Sequence, residues 1–262
     1  MSESTEMSSK SAGRAQHPLY SAYMYSIIAL GLAALAFAFY RLIFTNIGYH
    51  WLILAAVTGV TSFYCVKIPA VNSKISIGDS LVFTNLILFG IPAGVLTQAV
   101  DSLAASCRSK TRSRRLQYIF FNVAATALSA HISGNVFFSL LKGGPLIQSP
   151  MKTFQDLLVP LGTLAIVHYL INSGSVSIIV ALEKRKNPYA IWKDGFLWTS
   201  ITYLVGAAAA GFIAFNIGRI QPQVFAILAI VLLVVYFTYK TYLDQVAELQ
   251  KLRLTLEEEV KQ

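Results

Sequence analysis

The sequence predicts an all-α, polytopic membrane helix bundle of about seven transmembrane helices with a C-terminal cytoplasmic helix. Three observations carry this. The 262 residues are 55% hydrophobic and only 13% charged, where a soluble domain carries about a quarter charged residues. The apolar residues are grouped in seven runs, 21–40, 51–66, 81–100, 117–141, 157–182, 195–217 and 222–239, several of them near the ~20 residues that cross about 30 Å of hydrocarbon. After Tyr239 the chain turns charged and helix-forming, in YKTYLDQVAELQKLRLTLEEEVKQ.

Each element follows in order. Residues 1–20 are polar and lack the apolar stretch of a cleavable leader. They are expected to be a disordered tail ahead of a membrane domain over 21–240. Span one is 21–39. Span two is 51–64, extending to Lys67-Ile68-Pro69. Span three is 81–103 and contains Gly90, Pro92 and Gly94, which predict a kink or break. Span four is 116–141. Span five runs over 157–182 and crosses Pro160. It is either one steeply tilted helix or a short approach helix joined to a proper span. Span six is 196–215 and span seven 222–239.

Lysine and arginine set the orientation, because cytoplasmic loops carry the excess. With seven spans and a cytoplasmic C-terminus, fourteen fall inside and seven outside. The densest clusters, RSKTRSRR (108–115) and EKRKNPYAIWK (183–193), share the inner side. This predicts an N-terminus outside and a cytoplasmic C-terminus. The same clusters are expected to touch anionic lipid headgroups, each basic residue contributing about 1 kcal/mol near the surface. The net charge of +9 lies in loops between spans, with no recognition helix or aromatic platform, so nucleic acid is excluded as a partner.

Polar residues at membrane depth are the candidate ligand-binding residues: Asp79, Asn85, Asn122, His131, Asn135, His168 and Asn172. His131 and Asn135 are four apart on span four, and His168 and Asn172 repeat that spacing on span five, so each pair shares a helix face. Two readings stand: interhelical hydrogen-bonding partners, or the lining of one shared pocket. Asp79 and Asp101 bracket span three, so one helix length is expected to separate them. No catalytic constellation and no metal-ligand spacing is evident, Cys65 and Cys107 included. The chain therefore reads as a non-enzyme, and its cofactor is undefined. Small residues in GAAAAG (206–211) predict close helix packing.

In the tail, Tyr242, Val246, Leu249, Arg253, Leu256 and Val260 follow the spacing of a coiled-coil seam. Residues 241–262 are expected to be a cytoplasmic helical linker, a coiled-coil seam by this spacing, cut before an output domain.

Four stretches resemble the N-terminal multi-helix membrane sensor domains of bacterial signalling proteins: VKIPAVNSKISIGDSLVFTNLILFGIPAGVLTQAVDSL (66–103), LQYIFFNVAATALSAHISGNVF (116–137), HYLINSGSVSIIVAL (168–182) and DGFLWTSITYLVGAAAAGFIA (194–214). In those proteins the domain precedes a diguanylate cyclase, an HD-type cyclic-di-GMP phosphodiesterase or a histidine kinase. The resemblance implies a sensory input domain of a bacterial inner (cytoplasmic) membrane that forms a homodimer through the C-terminal linker. It would bind a small or lipidic ligand, or sense membrane state, and signal through its C-terminal helix. The stretch TNLILFGIPAGVLTQA (84–99) is also similar to the substrate-binding membrane subunits of energy-coupling-factor transporters. That similarity implies, as the alternative, a transport subunit holding a small molecule.

Overall fold

A computed structural model describes residues 18–45, 47–62, 66–67, 74–75, 78–107, 115–149, 153–197, 199–216 and the isolated positions 241, 245, 246 and 248. Among the described residues there are eight α-helices and one two-residue antiparallel ladder, β1 (Val66–Lys67) with β2 (Lys74–Ile75). Span seven and nearly all of the C-terminal seam lie outside the described residues.

Helix α1 (Pro18–Phe44) opens on a proline, whose fixed φ suits the first helical position. Its outward face carries Leu32, Phe39 and Phe44, the last 71% exposed. A helix apolar all round is stable only where its surroundings are apolar too. Its inward face is small: a Cβ on Gly31 would lie 2.2 Å from the Ala124 carbonyl oxygen, so glycine lets the two backbones touch. Four helices are long and apolar enough to cross a membrane: α1, α5 (Arg115–Leu141), α6 (Gln155–Lys184) and α8 (Thr199–Asn216). The protein is a membrane protein by that measure.

The region expected to be span three is two helices. Helix α3 (Gly78–Phe89) and helix α4 (Ile91–Cys107) fold back on each other as a tight hairpin. Residues 85 and 97 of one straight helix would be about 18 Å apart. Instead the Asn85 amide donates to the Thr97 hydroxyl. Gly90 makes the turn at φ 95°, a conformation disfavoured for residues with a Cβ. Gly94 permits the closure, because a Cβ there would meet the Leu86 Cβ at 2.5 Å. The glycines and proline were legible as a break; the reversal of direction was not.

The hairpin tip is closed by the loop after α5. Leu146 N–H donates to the Ile87 carbonyl at 3.0 Å and Ile147 N–H to Leu88 at 3.2 Å. These bonds satisfy carbonyls that a helix end would otherwise leave open. Helix α2 (His50–Thr61) lies beside the hairpin, and its Trp51 carbonyl accepts from Asn85 at 3.1 Å. At about 18 Å each by helical rise, neither α2 nor α3 crosses a bilayer alone. They leave and return to the same end of the bundle.

Span five is one helix, α6, with Pro160 inside it. Thirty residues give it a length of about 45 Å, so it tilts or projects beyond the hydrocarbon. It ends on Arg185 in the left-handed conformation, with Lys186 N–H donating to the Ala181 carbonyl. Asn187 and Pro188 then start the short α7 (Pro188–Phe196), the Asn187 side chain accepting from Tyr189 N–H. Helix α7 buries no residue. It is held at its rim by Trp192 donating to Ser173 and Tyr169 donating to the Phe196 carbonyl.

The packing also fixes which ends lie together. Tyr20 and Met24 of α1 pack with Phe121 and Ala125 of α5 and Ile179 of α6. At the other end Arg41 of α1 meets Phe138 of α5 and the Gly143–Pro145 loop. The start of α1 thus shares an end with the start of α5 and the finish of α6. The expected separation of residues 1–20 and 104–115 onto opposite sides does not fit this arrangement, because the hairpin adds a reversal to the count.

Candidate functional site

The polar residues expected to line one pocket are divided between two places. The first is a cleft of about 420 Å3 at the hairpin tip. The second is a buried polar core deeper in the bundle.

Three elements build the cleft: the last turns of α1, the hairpin tip at Gly90–Pro92, and the end of α5 with its following loop. His131 and Asn135 both line it, as their spacing requires. The Asn135 amide donates to the His131 carbonyl at 2.7 Å, which leaves the Asn135 side-chain oxygen outward. The His131 ring stands edge-on to Phe37 at 5.8 Å, and its Nδ1 has no partner among the described residues. Arg41 and Gln148 complete the polar lining, and Phe37, Phe89 and Phe138 supply apolar walls. Lining residues include no carboxylate. Gly90 is fixed in place by Pro145, 3.1 Å from where its Cβ would stand.

The buried core is built by α3, α4, α5, α6 and α8. His168 is fully buried, edge-on to Phe83 at 5.1 Å and 5.5 Å from the Tyr203 ring. Its Nδ1 lies 3.4 Å from the Ser133 hydroxyl, and its Nε2 has no partner among the described residues. Asn172, one turn along, donates to the Tyr203 hydroxyl at 2.8 Å. Asn85 is fully buried in the hairpin and clamps it to Thr97 and Trp51, yet its Oδ1 is unpartnered among the described residues. So is Oε1 of the buried Gln98. Unmatched buried acceptors are uncommon in folded proteins and mark places where a donor, water or cation fits.

Asp79 and Asp101 are not a helix length apart. Because α3 and α4 are antiparallel, both carboxylates lie at the open end of the hairpin, within electrostatic reach of each other and of Tyr203. The Ser62 hydroxyl donates to Asp101 at 2.5 Å. Ser80 and Asp79 pack on Gly206 of α8. Asn122 is apart from both places: it is half-buried on α5, and its carbonyl accepts from Thr126 at 2.9 Å.

Of the residues expected to bind a ligand, His131 and Asn135 lie at the cleft, His168, Asn172 and Asn85 in the buried core, Asp79 at the open end of the hairpin, and Asn122 apart from all of these. Sequence reasoning missed Arg41, Gln148 and Tyr203 as site residues. Arg41 follows the apolar run of span one, and Gln148 sits in a loop whose contact with Gly90 depends on the fold-back. Among the described residues no group of three or more His, Cys, Asp or Glu is arranged to hold a metal ion. No protein family, no curated protein and no solved structure matches the chain.

Proposed function

We propose that the chain is the membrane-embedded input domain of a signalling protein. It binds a small or lipidic ligand in the hairpin-tip cleft and passes the change through its C-terminal helix to a cytoplasmic output domain. The observation that carries this reading is the cleft's connectivity. A ligand there touches the Gly143–Pro145 loop and the hairpin tip together, and that loop is hydrogen-bonded to the end of α3. Helix α3 lies along α8 through Ser80 and the small face of Gly206 and Ala207, with Ala210 and Ala214 in the same core. Helix α8 leads directly into the segment before the tail. Ligand binding shifts such an equilibrium only by its differential affinity for the two states, and these contacts give it one element to bias.

With the start of α1 beside the start of α5 and the finish of α6, the charge rule favours an N-terminus in the cytoplasm. Arg115 and the basic residues 184–193 then lie on the cytoplasmic side with the start of α1, against Arg41 and Lys142 at the cleft end. That agrees better with the charge rule than the seven-span assignment. It opens the cleft to the outer face of a bacterial inner membrane. The basic cytoplasmic end would meet anionic lipids, and the C-terminal helix would pair with a second copy.

A second reading, a substrate-binding transport subunit, is favoured by the interrupted hairpin and its unmatched Asn85 and Gln98 oxygens. Interrupted helices with open polar groups near the midplane are how transporters hold substrates.

A reporter separates these readings. With the chain fused after Gln262 to a diguanylate cyclase, Gly144→Phe fills the cleft and is expected to change cyclase output at least twofold. Gly174→Ala, where an added Cβ meets nothing within 4 Å, is expected to leave output unchanged. Equal output from all three chains would remove the input-domain reading.

A further inference from the structure

We infer that the hairpin-tip cleft takes an amphiphile with an anionic headgroup, a phosphate or carboxylate on an apolar chain. This inference names the ligand class of the cleft proposed above and rests on that reading.

Charge is the first argument. Arg41, in the last turn of α1, is the lining cation, and no lining residue is acidic. Guanidinium is the side chain best suited to phosphate and carboxylate, because its donors match two anion oxygens at once. Lys142, which directly precedes the lining glycines, is exposed beside it. An unbalanced cation at the edge of a bilayer attracts anions and repels cations from the cleft.

The supply of donors is the second. The N–H groups of Gly143 and Gly144 both belong to the lining loop, and neither donates to a described residue. Gln148 offers a side-chain amide to the same space. By contrast, the Thr45 hydroxyl and the Asn135 amide are already engaged on backbone carbonyls. An oxyanion is the ligand group that accepts from several donors while offering none. Gly144 also leaves room for it: an added Cβ there meets nothing within 4 Å.

Shape is the third. A volume of about 420 Å3 falls within the roughly 300–1,000 Å3 of small-molecule sites and is far larger than a bare oxyanion. The remaining wall is aromatic and aliphatic, from Phe37, Phe89, Ile91 and Phe138. Phe37 is half exposed on the outer face of α1, so the apolar side of the cleft opens laterally between α1 and α5. A chain leaving by that route enters surroundings of its own polarity, while the headgroup stays at the level of Arg41.

The test uses the purified full chain in phosphatidylcholine nanodiscs, with dansylaminoundecanoate as the reporter ligand. Dodecyl phosphate and laurate are expected to displace it, dodecanol at least tenfold less well, and inorganic phosphate weakly. Arg41→Gln is expected to weaken both anionic amphiphiles roughly tenfold, the scale of one charge-assisted hydrogen-bonded pair, without changing dodecanol. Arg41→Lys restores part of the loss. Gly144→Phe, checked for an unchanged elution profile, abolishes displaceable binding. Adding phosphatidylglycerol to the nanodiscs distinguishes the sources: competition by it identifies a bilayer lipid, and its failure beside active dodecyl phosphate identifies a soluble amphiphile. If dodecanol equals dodecyl phosphate and Arg41→Gln changes nothing, while Gly144→Phe still blocks binding, the anionic class is wrong and the cleft remains a ligand site. If Gly144→Phe leaves reporter binding unchanged, or the reporter does not bind, the cleft is not the site and both conclusions fall.

Discussion

Asn85 donates a hydrogen bond to Thr97, twelve residues further along the chain. That bond closes a hairpin where one membrane span was expected. Most of the molecule's arrangement follows from it: the neighbouring Asp79 and Asp101 carboxylates, the cleft at the tip, and the shared end of α1, α5 and α6.

The clamp should be measurable but modest. Hydrogen bonds between membrane helices contribute about 0.6 kcal/mol on average, with values to about 1.7 kcal/mol. Asn85 also holds the Trp51 carbonyl, so Asn85→Ala is expected to cost about 1–2 kcal/mol. Thr97→Val should cost less, and the double variant less than the sum. Reversible unfolding in mixed micelles gives all three values. Strict additivity would mean that the two side chains do not interact.

The glycines should sort by what surrounds them. Gly90→Ala places a Cβ on a residue at φ 95°, which costs of order 1–3 kcal/mol in strained backbone. Gly31→Ala drives a Cβ into the Ala124 backbone, and Gly94→Ala drives one into Leu86. Both should lower the melting temperature more than Gly162→Ala or Gly174→Ala, where the added atom meets nothing within 4 Å. The last two should be neutral or slightly stabilising, since alanine favours helix by up to about 1 kcal/mol. Thermal melts of the five variants check the order.

His168 offers a different contrast. It is fully buried with one ring nitrogen unpartnered among the described residues. Its Nδ1 is 3.4 Å from the Ser133 hydroxyl, which also donates to the Ala130 carbonyl, so an apolar ring at 168 leaves no newly unpaired buried group. His168→Phe should therefore keep or raise the melting temperature, while Tyr203→Phe, which removes the partner of Asn172, should lower it. A large loss of stability in His168→Phe would show that its Nε2 has a partner in the native membrane.

Docking of α7 should respond to one hydroxyl. Ser173→Ala removes the acceptor of the Trp192 indole N–H and is expected to cost about 1 kcal/mol of local stability. In a chain with Trp51 and Trp198 changed to Phe, Trp192 emission should shift on this substitution. An unshifted spectrum would place the indole elsewhere.

How much of this was legible in the sequence depended on the range of the signal. Local signals worked. The long apolar runs gave α1, α5, α6 and α8, and the four-residue spacing put His131 beside Asn135; α7, inside the basic stretch 183–193, was not anticipated, although Asn187 and Pro188 form its cap and first turn. The hairpin failed because Gly90, Pro92 and Gly94 are compatible with a kink, a break or a reversal. Only Asn85–Thr97, Gly94–Leu86 and the loop bonds to Ile87 and Leu88 decide among these. The consequence spread: counting one pass too few moved Asp79 away from Asp101 and the start of α1 away from the start of α5. Arg41 and Gln148 were missed for the same reason, because their cleft exists only where the hairpin tip turns.

The fold-back is tested most directly by sidedness. In a chain lacking Cys65 and Cys107, single cysteines are introduced as Ser2→Cys, Gly144→Cys and Lys186→Cys, and intact cells are treated with a membrane-impermeant maleimide. The hairpin requires positions 2 and 186 to behave alike and position 144 oppositely; with the proposed orientation, 2 and 186 are protected until the membrane is opened and 144 is labelled from outside. Labelling of position 2 from outside with position 186 protected would restore a single crossing over 81–103 and contradict the hairpin.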